Sequence, residues 1–390
     1  MGANRYLVCF ALGLNAAVAV GLSRFAYALV LPAMQQSFAW NYVEAGALNA
    51  SNAAGYLIGA LAAARVMARF GAVPTFIAGA VVTGVSVLGT AFTEDFILLN
   101  LLRFVPGVAG ALAFVAGGVL ATQVASGLGD RASAGIGLFY TGPGVGIVVS
   151  GAVVPPLLSG GASAWPLAWI GLGVASLVLS CAAALAARRA VGGGASQTSS
   201  TGPGTVSLMP ALGSYTLYAA GYIGYMTFII ASVREGGGTA LQASLWWMVL
   251  GIASIISFRL WKRVLAAGNG QSLGLMTGVT GIAALLPLID SGPVLLFLSF
   301  ALFGGTFLVV VAATTNIVRL ARAPEDWPVW IGYFTVVFGL GQTVGPVLGG
   351  WAADSLGTSD GVLWVSGALL IAGGLAALLQ RDPSGRSTLP

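Results

Sequence analysis

Two arginines stand where a charge is expensive. Arg24 lies inside the apolar run LNAAVAVGLSRFAYALVLPAM, and Arg103 lies inside LLNLLRFVPGVAGA. Arg24 is roughly nine residues from the far end of its run, hence about 13 Å deep at 1.5 Å per residue. Arg103 follows Asp95 by eight residues, which gives about 12 Å by the same rise. None of the Asp or Glu residues falls deep enough in an apolar run to pair with either one. Two guanidinium groups in a low-dielectric setting need an anion, water or backbone carbonyls. A ligand carboxylate, sulfonate or phosphate would satisfy them, because Arg binds such groups with two parallel hydrogen bonds. The competing reading is structural: a snorkelling side chain, or one bonded to the backbone of a neighbouring helix.

A second constellation is aromatic. Tyr215, Tyr218, Tyr222 and Tyr225 have spacings of 3, 4 and 3, which put them on one helical face. Such a stripe offers rings and hydroxyls to an apolar ligand body, Tyr222 and Tyr225 foremost. Packing or anchoring at the membrane interface is the alternative, and it suits Tyr215 best. Gln342 and Thr343 supply polar groups in another apolar run, either to a cavity or between helices.

Other chemistries lack their parts. The chain has no His and only Cys9 and Cys181, each in an apolar stretch, so a metal site or a thiol- or serine-based hydrolase has no ligand set or base. No G-x-x-x-x-G-K-[ST] segment is present, so a nucleotide engine is absent. Basic residues are dispersed over short loops, which argues against nucleic acid. No cofactor, no metal and no enzymatic activity are expected.

The elements that must hold these residues are membrane helices. Only 7% of residues are charged, against about 25% in soluble domains, and the 58 glycines recur inside the apolar runs. Runs of about 20 apolar residues, each long enough to cross a bilayer, fall near 6–33, 45–67, 72–92, 96–124, 133–158, 165–187, 210–232, 241–261, 271–289, 293–318, 328–353 and 361–379. The first is too long for a signal-peptide core and reads as a retained helix. Between the sixth and seventh lies GGGASQTSSTGPG, a Gly/Ser/Thr linker. The expected organisation is a six-helix bundle over 1–187, a cytoplasmic linker over 188–209 and a second bundle over 210–390. Thirteen basic residues fall on one side of the membrane and only Arg234 on the other. That asymmetry predicts a cytoplasmic linker and cytoplasmic termini.

The halves repeat. Gly21 with Arg24-Phe25 corresponds to Gly221 with Gly224-Tyr225, and Gly142-Pro143-Gly144 corresponds to Gly345-Pro346-Val347, at offsets near 200. This suggests duplication of a six-helix unit, the build of major-facilitator transporters.

The chain resembles the major facilitator superfamily, and within it the YbfB/YjiJ-like branch of bacterial permeases. The resemblance is carried by GLSRFAYALVLPAM in the first helix, GYIGYMTFI in the seventh, FGGTFLVVV in the tenth and FGLGQTVGPVLGGWAAD in the eleventh. It implies twelve helices around a central cavity lined mainly by helices 1, 4, 7 and 10. On those segments it points to Arg24, Tyr27, Arg103, Tyr222, Tyr225 and Thr306, with Gln342 on helix 11, as substrate-binding candidates. Arg103 matches the Arg of the superfamily's fourth-helix motif.

Gly142 and Pro143, within a run that resembles the superfamily's helix 5 pattern, and Gly345 and Pro346 are read as conformational elements. In the loop after helix 2 the superfamily carries an Asp. Here GALAAARVMARFG has Ala63 or Ala64 in its place, which leaves Arg65 and Arg69 as gate candidates without their usual carboxylate.

The expected function is a secondary transporter of a small organic anion, working by alternating access as a monomer in the bacterial inner membrane. The alternative is a proton-coupled exporter of drugs or other amphiphiles, which the glycine pattern of helix 5 favours.

Overall fold

The computed structural model describes residues 2–190 and 206–382. Most of the expected linker, 191–205, lies outside the described residues, as does the tail from 383 onward. Among the described residues there are twelve helices long and apolar enough to cross a membrane. They are α1 (Asn4–Phe38), α2 (Tyr42–Phe70), α3 (Ala72–Phe92), α4 (Phe96–Ser126), α5 (Ala132–Leu157) and α6 (Ala162–Arg189), then α7 (Met209–Glu235), α8 (Ala240–Leu260), α9 (Gly270–Ile289), α10 (Pro293–Ala321), α11 (Val329–Leu356) and α12 (Asp360–Leu378). The described residues contain no strand.

Several spans exceed the expected ranges, because their ends are capped beyond the apolar core. Asn41 accepts from the Glu44 amide, and Glu44 returns the bond to the Asn41 amide, starting α2. Thr239 with Gln242 and Asn269 with Ser272 do the same for α8 and α9. Such boxes satisfy amides that a helix start leaves unpaired. Outward faces carry Val85, Ile97, Val178, Ile252, Ile282 and Leu340, all exposed, as hydrocarbon surroundings permit.

Glycine sets the closest helix pairs. A Cβ on Gly21 would come within 2.5 Å of the Gly146 Cα, so α1 and α5 meet backbone to backbone. A Cβ on Gly144 would come within 2.5 Å of the Ser254 hydroxyl, which brings α5 equally close to α8. The expected conformational residues sit in these seams. Gly142 lies against the Gly13 carbonyl, Gly345 against the Ala220 carbonyl of α7, and the Pro346 carbonyl against Gly46 of α2. Contacts between the first six and last six helices run mainly through α2 with α11, α5 with α8, and α1 with α7.

The two ends differ. Arg5, Arg65, Arg69, Arg188, Arg189, Arg259, Lys262, Arg263, Arg319 and Arg322 cluster at one end, here the basic end, and Glu44, Glu94, Asp95, Glu235, Asp290, Asp354 and Asp360 at the other, the acidic end. The acidic end is bridged by hydrogen bonds, beside a cavity of about 470 Å³ lined by residues of α1, α5, α7 and α8. The Tyr42 and Val43 amides donate to the two Asp354 carboxylate oxygens at 2.8 and 3.1 Å. The Tyr42 hydroxyl donates to Glu235 at 2.7 Å, and Glu235 also receives the Ser359 amide at 3.0 Å. At the basic end Arg322 donates to the Val206 carbonyl at 2.8 Å, tying down the chain that enters α7.

Candidate functional site

Arg24 is only 2% exposed. It stands near the end of a π-helical segment, Ala17–Phe25, within α1. There the Ala26 amide reaches five residues back to the Gly21 carbonyl at 2.8 Å. Insertions of this kind are frequent at functional sites. Since α1 runs on to Phe38, Arg24 is fourteen residues from that end, about 21 Å along the axis. The expected 13 Å was short because the helix continues through Pro32 to the polar Gln35 and Gln36.

The Arg24 side chain crosses to the last six helices. Its Nη2 donates to Gln342 Oε1 of α11, and Gln342 Nε2 donates to the Tyr222 hydroxyl of α7. Its guanidinium lies 5.4 Å from the centre of the Tyr56 ring, a cation–π distance. Its Nε has no partner. The one hydrogen-bond acceptor found for this cation is therefore a neutral amide.

Arg103 turns the other way. Its Nη1 donates to the Ser23 carbonyl, one residue from Arg24, so both cations sit at one level of the fold. It is fully buried, between the rings of Tyr27 at 5.3 Å and Trp169 at 5.0 Å. Tyr27 is held in turn by a 2.7 Å bond to the Ala45 carbonyl. Its hydrogen bond and ring contacts are thus with the α1 backbone, Tyr27 and Trp169, apart from those of the Arg24–Gln342–Tyr222 cluster.

Tyr225 and Thr306 also lie outside that cluster. Tyr225 stacks on Phe303 at 3.9 Å and shares a 2.7 Å bond with Ser299, while Thr306 pairs with Thr280 at 2.8 Å. Thr343 donates back to the Gly339 carbonyl of its own helix. Arg65 and Arg69 are exposed, with Arg69 over the adjacent Phe70 ring. Cys181 is exposed, unlike the buried Cys9.

The tyrosine face forms a column. Tyr215 stacks on Tyr218 at 5.7 Å, Tyr218 on Tyr222 at 5.0 Å, and Phe338 lies nearly parallel to Tyr215 and Tyr222. Tyr215 is 4% exposed, so it is not the interfacial anchor that its position near the end of the span suggested. It lines a chamber of about 210 Å³ on the basic-end side of Arg24, together with Tyr56, Phe114, Phe334 and Phe338. A second cavity of about 440 Å³ shares Phe114 and continues past Gln123 and Tyr140 toward the basic end.

Tyr56, Phe338 and Asn49 were not singled out from the sequence. Asn49 donates to Thr227 of α7 at 2.6 Å. The signal for Asn49 and Tyr56 was there: they flank Asn52 and Gly55 on a helix unusually rich in polar residues for a span.

This fold and site define a multi-pass membrane transporter of the major-facilitator type. The chain matches the family described as the uncharacterised MFS-type transporter YbfB over residues 16–378, and it belongs to that family. No curated protein matches the sequence at a significant level. Among solved structures, the nucleoside transporter NupG superposes with a TM-score of 0.74 at 12% identity, covering 96% of this chain and 99% of that one. A bacterial homologue of the human lysosomal transporter Spinster, in an inward-facing and occupied conformation, gives 0.68 at 14% identity, covering 97% and 96%. At these identities the likeness is one of fold.

Proposed function

We propose that this protein is a secondary transporter that moves a small organic anion across the bacterial inner membrane by alternating access, and that Arg24 binds the anionic group. One observation carries the reading: a buried cation between the two halves whose acceptor is the neutral amide of Gln342. A carboxylate would replace that amide with a charge-assisted bond, roughly twice as strong as a neutral one. Such an exchange binds substrate and loosens one link between the halves in the same event.

The halves in this reading are 1–187 and 210–390, joined by the linker. The basic end faces the cytoplasm, by the loop-charge rule. The hydrogen bonds across the acidic end support an inward-facing state in this reading. All eleven carboxylates of the chain lie near helix ends or in loops, and the chain has no His. A buried proton relay therefore lacks its usual groups, which disfavours the proton-coupled drug exporter. That alternative also requires cationic amphiphiles to approach Arg24.

The test is a thermal-shift screen of the purified protein against small organic anions and cations, since a ligand of the folded state raises its apparent stability. Stabilisation by anions that disappears in Arg24→Gln supports the proposal. Stabilisation by cations alone, unchanged in Arg24→Gln, overturns it.

A further inference from the structure

The lining of the chamber narrows the kind of anion. Five rings from four helices face it: Tyr56 of α2, Phe114 of α4, Tyr215 of α7, and Phe334 and Phe338 of α11. Its other lining residues are Ala, Val, Ile and Thr, so it is uncharged. The threonine hydroxyls are committed as donors to their own helices. Thr314 and Thr315 donate to the Val311 carbonyl at 2.9 and 3.3 Å, and Thr335 to the Ile331 carbonyl at 2.8 Å. A sugar or a nucleobase needs several directional partners to replace its water, and this lining offers few free donors. An unadorned apolar body needs none.

Shape and size point further. Of the five lining rings, Phe338 and Tyr215 are nearly parallel, at 11°, whereas Phe334 is tilted 47° from Tyr215 and Phe114 is tilted 54° from Tyr56. A planar ring stacks on Phe338 at its tilt and meets the tilted rings by their edges, and both arrangements add to simple burial. The chamber, about 210 Å³, is below the roughly 300–1,000 Å³ that holds drug-sized ligands. The cation is one ring away. Arg24 lies over Tyr56, which lines the chamber, and its partner's partner Tyr222 stacks on Phe338, which also lines it.

Resting on the reading of Arg24 as the anion site, we propose that the substrate is a small planar aromatic anion. Its ring stacks against Phe338 and Tyr56, and its carboxylate displaces the Gln342 carbonyl from Arg24. The rings define the body, and Arg24 defines the head.

Calorimetry on the full-length protein in lipid nanodiscs tests this with three probes of similar size: benzoate, cyclohexanecarboxylate and benzamide. Benzoate is expected to bind about fivefold more tightly than cyclohexanecarboxylate, the margin of one ring-stacking contact, and benzamide at least tenfold more weakly than benzoate. Phe338→Leu is expected to erase the margin between the two carboxylates. Should Phe338→Leu fail to fold, the wild-type ratio of the two carboxylates still decides. Equal binding of both carboxylates, lost together in Arg24→Gln, overturns the aromatic assignment and leaves the anion site standing. Benzamide binding as well as benzoate, with Arg24→Gln unaffected, overturns both. Absence of binding by benzoate at millimolar concentration overturns the aromatic assignment.

Discussion

Arg24 and Arg103 begin one residue's reach apart and lead to opposite parts of the molecule. Arg103 is enclosed among α1, α4 and α6, where it joins the Ser23 carbonyl and two aromatic rings. Arg24 leaves that environment and meets α7 and α11 through Gln342 and Tyr222. Both are buried cations with unpartnered N–H groups. One is fixed within the first six helices, whereas the other spans the boundary that alternating access must open. Depth in the membrane is therefore a poor guide to what a buried arginine contacts.

The largest effect expected from this contrast is on stability. Arg103→Ala empties a fully buried volume against Tyr27 and Trp169 and removes the bond to the Ser23 carbonyl. Large-to-Ala truncations in cores cost about 3–5 kcal/mol. A marked drop in melting temperature is expected, while the fraction that remains folded binds anion with nearly unchanged affinity. Loss of affinity without loss of stability would erase the distinction between the two arginines.

Arg24 should behave in the opposite way. Arg24→Gln is expected to melt near wild type yet to bind an organic anion more weakly by about 1.5–3 kcal/mol, ten- to a hundredfold. Arg24→Lys keeps the charge without the planar fork and should fall between. Calorimetry beside a melting curve separates the two quantities. A normally stable Arg24→Gln protein with wild-type affinity would remove Arg24 from the site.

Both arginines were visible in the sequence, because charge inside an apolar run stands out against any background. So were the twelve helices and the tyrosine stripe, which rest on periodicity. Their partners were not. A neutral amide such as Gln342 carries no signal that says which cation it will meet more than three hundred residues earlier. The contacts of Arg103 include Trp169, an ordinary residue of an apolar span. The longer α1 and its π segment arise from packing, Gly21 on Gly146, and no local propensity announces them. Tyr225 and Thr306 share the sequence character of Tyr222, yet Phe303, Ser299 and Thr280 occupy them in helix packing.

A third prediction concerns the boundary that Arg24 spans. Asp354 caps the first amides of α2 from the end of α11, and removing a carboxylate or hydroxyl cap costs about 0.5–2 kcal/mol. Asp354→Ala is expected to raise the population open at the acidic end severalfold. Spin labels on cysteines placed at positions 94 and 291, with Cys9 and Cys181 replaced, should report longer distances across that end. Unchanged distances would mean that the Glu235 bonds alone keep the acidic end shut.

The smallest effect is the most diagnostic, because its sign decides between two roles for Gln342. If the amide only occupies the anion's place on Arg24, Gln342→Leu removes a competitor. The empty protein then holds an unpaired guanidinium, and the ligand no longer has to break a bond to reach it. Affinity for the anion should rise by about 1 kcal/mol, near fivefold, the net value of one hydrogen bond. If the amide instead contacts the substrate beside Arg24, the same change should weaken binding by a similar amount. Leu is close to Gln in volume, so packing against Tyr222 is preserved and the loss of melting temperature reports the lost Arg24 and Tyr222 bonds alone. The placeholder role predicts tighter binding together with a less stable empty protein. Weaker binding would make Gln342 a ligand contact and would require the anion to enter beside the Arg24–Gln342 bond rather than through it.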